Sequence, residues 1–398
     1  MNLSQTVKTI VLIMLVSVND GYSQQESYNL HFDSIVADAH NDVIGTHTMK
    51  GRDIAKYIEE GQTDLVRLKE GGIKLQVFAI FCNQTYGKGV AFSYANSMID
   101  AMELLIKENH EIIALASNLD DIHAIIRQKK IAAMFGIEGG HIIENQMDYL
   151  RVLAQRGMKY LTITWNNSTE WATSAYDEVK HPSSSFHKGL TEQGRRYIEE
   201  LNKLGVMADL SHAGEQTFYD VLEVSAKPVL ASHSNCYTIM PHSRNLKDKQ
   251  IEAMAANGGV IGINFYSGFI DQGYEQRRNA LLNRYGHLVG ELSSKYPMDS
   301  IHLVRELFRR LPVEEVNSIR PPLSRLIDHL DHIVKIAGID HVCLGSDFDG
   351  AESFSGGMDD VSCYPLITAE MIKRGYTDYD IKKVLGQNLL RVLKENEV

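Results

Sequence analysis

Eight short runs rich in Val, Ile and Leu recur along the chain, and they constrain its fold more than any other feature. They occupy residues 34–39, 74–81, 131–137, 160–164, 206–210, 228–232, 260–265 and 341–345. Most lack polar alternation, the pattern of strands in a parallel sheet covered on both faces. Amphipathic helical stretches lie between most of them. They include 191–204 with Thr191 as N-cap, 214–224, 246–256, and 323–336, which opens after Pro321-Pro322 and closes at Gly338. Alternating strand and helix units of this number predict an α/β fold, a (β/α)8 TIM barrel. A doubly wound open sheet is the alternative, but no Gly-rich phosphate loop follows the first run. At 398 residues with 44% hydrophobic content, the chain can fill one large barrel. One long helical insertion, within 266–340, breaks the rhythm before the eighth strand. Its Arg-, Tyr- and Leu-rich part, 271–320, reads either as a packing extension or as a lid or homodimer surface.

The residues that end these runs carry the chemistry. The first run ends in His40 and Asp42, the third in Glu138, the fifth in His212, the sixth in His233 and the eighth in Asp347. In a barrel these ends converge on one mouth. Packing explains any one of them but not all at the same relative position, because each buried charge needs a partner. His40 and Asp42 are two residues apart, so an extended backbone points them the same way. The set suits two divalent ions, with His40, Asp42, His212 and His233 as terminal ligands and Glu138 as a bridge. Nitrogen-rich ligation favours zinc over magnesium or calcium. Two neighbouring metal ions can share a hydroxide and polarise a carbonyl, so the predicted reaction is hydrolysis of an amide or ester. Asp347 is the candidate to protonate the leaving amine, and Asp349 is its competitor.

Seven stretches carry a family resemblance. They are Asp38-Ala39-His40-Asn41-Asp42, Gly136-Ile137-Glu138-Gly139-Gly140-His141, Gly189-Leu190-Thr191-Glu192-Gln193-Gly194, Met207-Ala208-Asp209-Leu210-Ser211-His212, Ala231-Ser232-His233-Ser234, Ser243-Arg244-Asn245 and Gly345-Ser346-Asp347-Phe348-Asp349-Gly350. In this order the chain resembles the membrane (renal) dipeptidases, peptidase family M19 of the amidohydrolase superfamily, from residue 34 almost to its end. The resemblance implies a barrel with two zinc ions, one on His40 and Asp42, the other on His212 and His233, with Glu138 bridging. It implies that Arg244 grips the free carboxylate of a dipeptide, and that Asp347 binds the substrate amine and transfers a proton. There is one departure near the substrate. Trp165 stands where members close to the mammalian enzyme have a histidine that contacts substrate near the scissile carbonyl. An indole donates one hydrogen bond and accepts none, so rate and substrate preference should differ while metal binding should not. A rival reading is another amidohydrolase acting on N-acyl amino acids or lactones. Arg244 argues against a lactone, which has no carboxylate to pair with it. A second rival, a barrel that binds without catalysis, is disfavoured because no ligand is lost.

The net charge of −11, with no basic stripe, excludes a nucleic-acid role. Lys8 precedes an apolar stretch, 10–18, too short to span a bilayer, and Gly21 and Ser23 occupy the −3 and −1 positions of a cleavage site. The expected layout is a signal peptide over 1–23 and a single catalytic domain over 24–398. The expected protein is therefore periplasmic or secreted, and not membrane-spanning. The four cysteines form no CxxC pair, and Cys343 reads as a small core residue. His329 and His332 share helical spacing but precede the eighth run, which places them on an outer helix as structural residues. His141 either orients a ligand or makes a loop hydrogen bond. His181 and His187 lie in a loop whose spacing demands nothing.

Overall fold

The computed structural model describes residues 23–181, 187–297 and 299–398. Nine parallel strands form one sheet: β1 (Val36–Asp38), β2 (Ile73–Phe81), β3 (Ile113–Leu115), β4 (Ile131–Glu138), β5 (Met158–Thr162), β6 (Met207–Asp209), β7 (Leu230–Ala231), β8 (Val260–Ile263) and β9 (Val342–Leu344). The order is β1-β2-β4-β5-β6-β7-β8-β9, and β3 pairs only with β4. The ring closes where the Ala39 N–H donates to the Leu344 carbonyl at 2.9 Å and the Asp347 N–H to the His40 carbonyl at 3.2 Å. The eight predicted strands are present, so the chain is a (β/α)8 barrel. β3 lies outside that expectation, because an isolated Ile-Ala-Leu has no periodicity to read. The predicted leader lies, except for Ser23, outside the described residues.

Several strands are shorter than the apolar runs that contain them, for a local reason. At the end of β6 the Asp209 carboxylate takes over from the ladder carbonyls. Its Oδ1 accepts from the N–H of Ser232 at 2.7 Å and of Ser211 at 3.1 Å, and its Oδ2 from the Ser232 hydroxyl at 2.7 Å. Asp38 does the same at the closing seam, with the Ser346 N–H at 2.9 Å, the Ser346 hydroxyl at 2.7 Å and the His40 N–H at 3.3 Å. These carboxylates satisfy the backbone groups where the regular strand pairing thins out, and the next side chains turn into the mouth.

The barrel lumen is filled by small and branched side chains, among them Ala37, Leu75, Val77, Ala132, Met207, Val260 and Cys343, with Leu389 and Leu393 of the last helix, Asn388–Asn396. Outer helices end as the sequence signals. Glu192–Leu204 has Thr191 capping the Gly194 N–H and left-handed Gly205 (φ 68°) after it. His329, on helix Leu323–Ala337, accepts from the Cys236 N–H and donates to the Ile270 carbonyl, a buried structural role.

The insertion folds as helices Ser267–Ile270, Tyr274–Arg284, Gly286–Lys295, Ser300–Arg310 and Val313–Ile319 around its own apolar cluster of Tyr274, Leu281, Leu292, Leu307, Leu311 and Ile319. Arginines fasten it to the loop after β9. Arg305 donates twice to the Ala351 carbonyl (2.9 and 2.6 Å), and Arg320 donates to the carbonyls of Phe354 (2.8 Å) and Ser355 (2.7 Å). It is a packed body that also walls the barrel mouth, through Ile301 and His302.

Candidate active site

A cleft of about 860 Å³ opens at the carboxyl ends of the strands, and Asp42, Glu138, Trp165, His212, His233, Arg244 and Asp347 line it. The backbone is bent to put them there. His212 (φ 68°) and Asp347 (φ 62°) sit in the left-handed region, which costs roughly 1–3 kcal/mol per non-glycine residue and clusters at functional sites.

Glu138 is the centre of the cluster. Its Oε1 lies 3.1 Å from His212 Nε2 and 3.5 Å from His233 Nε2, and its Oε2 lies 3.7 Å from His40 Nε2. Asp42 Oδ2 is 3.4 Å from the same His40 nitrogen. Ligand atoms of His40, Asp42 and Asp347 fall within 4.8 Å of one another. One carboxylate therefore divides its two oxygens between two sets of donors, as a bridge requires. All the sequence-predicted ligands meet in this one place.

Each histidine presents Nε2, because its other nitrogen is engaged. Tyr160 donates to the Ala39 carbonyl at 3.2 Å, which leaves its oxygen to accept from His40 Nδ1 at 2.8 Å. The Ser232 hydroxyl donates to Asp209, so it accepts from His233 Nδ1 at 2.7 Å. Asn166 Oδ1 accepts from His212 Nδ1 at 3.0 Å. These partners fix the tautomers and aim the rings. Three bare nitrogen lone pairs then face carboxylate oxygens, with His212 and His233 Nε2 only 3.1 Å apart and His40 Nε2 buried without a partner. Such a set of acceptors is satisfied by cations, and its donors suit divalent transition metals. The residues present therefore fit a metal centre.

Electrostatics agree. Burial and the charges of Arg244 and His40 hold His212 well below the usual histidine range, in the neutral form a metal requires; His233 is lowered likewise. Burial disfavours a charged His40, but Glu138 and Asp42 outweigh it and push its pKa up to about 10. A field that favours positive charge at that nitrogen favours a metal ion there equally. Burial, then the charge of Asp42, raises the Asp347 carboxyl. Asp347 Oδ2 also accepts from Asn264 Nδ2 at 2.9 Å.

The competitor, Asp349, is occupied elsewhere. Its Oδ1 meets His47 Nε2 at 3.1 Å and the Gln62 N–H at 3.0 Å, and Arg305 lies 3.8 Å away. His141 donates to the Cys82 carbonyl at 2.9 Å, the loop hydrogen bond rather than a ligand-orienting contact. His187 bonds to the Leu190 carbonyl and His332 to Asp248, both away from the cluster.

Arg244 is 5% exposed. It donates to the His233 carbonyl at 3.1 Å and lies over the Phe269 ring, yet its buried Nε–H is unpartnered, and no carboxylate lies within 4 Å of it among the described residues. Burial lowers its pKa to about 10 despite the charges of Asp347 and Glu138.

Tyr160, Asn166, Asp209, Ser232 and Asn264 were not among the predicted site residues. Only pairing register could have found Tyr160. It lies opposite Gly136 on the neighbouring strand, where any side chain would run into its ring at 1.9 Å.

Comparison with known proteins agrees with this geometry. The profile of the membrane dipeptidases (peptidase family M19) matches residues 24–398. The dipeptidase verJ of Clonostachys rogersoniana is 30% identical over 86% of this chain and 78% of its own. An uncharacterised dipeptidase of Schizosaccharomyces pombe is 31% identical over 91% of this chain and 80% of its own. The crystal structure of dipeptidase AC, a metallopeptidase of family M19, superposes with a TM-score of 0.73 at 25% identity, covering 91% of this chain and 98% of that one. Barrel, convergent ligands and relatives lead to one statement: the chain belongs to the membrane dipeptidase family, peptidase family M19, and is a metallo-dipeptidase.

Proposed function

We propose that the protein is an exported zinc enzyme that hydrolyses free dipeptides to amino acids with two zinc ions per chain. His40 and Asp42 would hold one ion, His212 and His233 the other, and Glu138 both. When bound, such a pair makes water nucleophilic at neutral pH and polarises the scissile carbonyl. The protein groups do the rest. Arg244 pairs with the C-terminal carboxylate through parallel N–H donors and sets its distance from the cluster. Asp347, steadied by Asn264, binds the free amine, takes a proton from the attacking water and gives it to the leaving nitrogen. The C–O bond forms first and makes the carbonyl carbon tetrahedral; the C–N bond then breaks as its nitrogen gains the proton, and two amino acids leave.

The observation that carries this reading is the buried guanidinium of Arg244, unpaired with any acid among the described residues, beside a cluster of metal-ligand type. A surface salt bridge, worth under about 1 kcal/mol, needs neither burial nor an open partner site. The test compares a dipeptide with its C-terminal amide, using zinc-loaded protein. The free acid should be cleaved far better, and Arg244→Met should erase that preference, with more than a tenfold loss in kcat/KM and unchanged metal content. Equal cleavage of both by the unmodified enzyme refutes a dipeptidase and favours the broader amidohydrolase. Metal stoichiometry is read by elemental analysis, and export by locating the mature protein and its N-terminal residue.

A further inference from the structure

The groups proposed above to hold the polar ends of a dipeptide lie on one half of the rim. Arg244 follows β7 and Asp347 follows β9. In the ring of strands β7 stands opposite β2, and β9 opposite β5. The opposite half carries a group of aromatic rings, set among the uncharged polar residues Asn83, Thr85 and Asn166. Phe81, the last residue of β2, packs against Trp165, beyond β5, with ring centroids 4.9 Å apart at 53°. Tyr86 and Tyr94, rings 4.5 Å apart, also line the cleft. The indole stands next to the ligand cluster, its centroid 6.3 Å from the His212 ring. Gly139, directly after Glu138, lies beside it: a Cβ there would meet Trp165 Cβ at 3.4 Å, ordinary contact. Trp165 is half-buried and lines the cleft, so part of its ring faces the space a substrate would enter. None of the four aromatic residues is charged.

We infer that this aromatic ledge, Phe81 with Trp165 at its centre, is a side-chain subsite, and that the enzyme selects dipeptides carrying one large apolar or aromatic residue. The inference rests on the dipeptidase reading and narrows its substrate class. A ring stacked on Trp165 leaves water without unpairing any polar group, whereas a lysine or aspartate side chain would lose hydration and find no counter-charge on the ledge. Offset or edge-to-face packing with Trp165 and Phe81 adds to the burial.

The test measures kcat/KM for Ala-Ala, Ala-Phe, Phe-Ala, Ala-Lys, Lys-Ala, Ala-Asp and Asp-Ala with the zinc-loaded full chain. At one of the two positions, phenylalanine should exceed alanine and the charged residues by roughly tenfold or more, the range of a hydrophobic pocket. Trp165→Ala should shrink the phenylalanine-to-alanine ratio to within about threefold, with metal content unchanged, and Trp165→Phe should restore part of it. Phe81→Ala, one ring further from the cluster, should reduce the same ratio and stands in if Trp165→Ala fails to fold. A ratio near one in the unmodified enzyme, or a ratio that survives both alanine variants, overturns the inference. Failure to cleave any of the dipeptides refutes the dipeptidase reading instead, so the two failures are distinct.

Discussion

Gly350→Ala isolates the geometry of the site from its chemistry. Gly350 closes the turn after β9, with its N–H donating to the Asp347 carbonyl at 3.1 Å. Its backbone lies outside the left-handed region, so alanine introduces no conformational strain of its own. The added methyl group, however, would lie 2.2 Å from Asp347 Oδ1 and 2.2 Å from Asp42 Oδ2. Each oxygen must withdraw by roughly 1 Å to reach ordinary contact. Those two atoms belong to the proposed proton carrier and to a proposed metal ligand, and a 1 Å misplacement in an active site can cost about 10²-fold in rate. The expected result is a fall of about 10² in kcat/KM on a dipeptide, with partial loss of one metal equivalent and little change in Tm. Gly356→Ala is the control, because its methyl would meet only the Pro321 carbonyl, at 3.7 Å. If Gly350→Ala keeps a rate within about threefold of Gly356→Ala, the two carboxylates do not act where they are placed.

Tyr160→Phe removes the acceptor for His40 Nδ1 without changing shape, and metal affinity measured by chelator competition should fall about 10–100-fold; unchanged affinity would assign Tyr160 to packing alone. Asp347→Asn should keep the metal but lose about 10²–10⁴ in kcat, whereas Asp349→Ala, which removes the acceptor of the His47 and Gln62 contacts, should chiefly lower Tm. The reverse pattern would exchange their roles. His329 is held neutral: burial lowers its pKa from 6.5 to about 4, and its Nδ1 accepts a backbone N–H. The unfolded chain thus binds more protons between those values, so this contribution is full above pH 6.5 and is lost as pH falls toward 4, amounting to roughly 3 kcal/mol. Denaturant unfolding should show that His329→Gln loses about 2 kcal/mol less than the parent between pH 6.5 and 4.5; parallel curves would refute it.

The barrel was legible because parallel strands buried on both faces leave unbroken apolar runs, and the histidines and acids stand out at their ends. What could not be read depends on pairing. Tyr160 reaches His40 only because register sets it against Gly136. Asp209 and Ser232 look like ordinary strand residues until β6 and β7 lie side by side. The sequence favours Asp347 over Asp349 only because it lies nearer the apolar run; that Asp349 is held by Gln62 and His47, from a segment nearly three hundred residues earlier, could not be read. The insertion was visible as an excess of length, but its attachment through Arg305 and Arg320 was not.

The closing seam has a consequence for when the enzyme can exist. Ser346 N–H meets Asp38 across 308 residues of chain, and the Asp347 N–H meets the His40 carbonyl in the same place. Contacts of such sequence separation form late, because long-loop closure must precede them. A nascent chain that has emerged through β8 already holds Glu138, His212 and His233, yet it has no β9 to seat β1 and no Asp347. It is an open cradle in which His40 and Asp42 are present but unseated and the proposed proton carrier is still to come. On the proposed roles the site is assembled only after the chain beyond β9 has emerged, so removing residues 345–398 should abolish dipeptide hydrolysis.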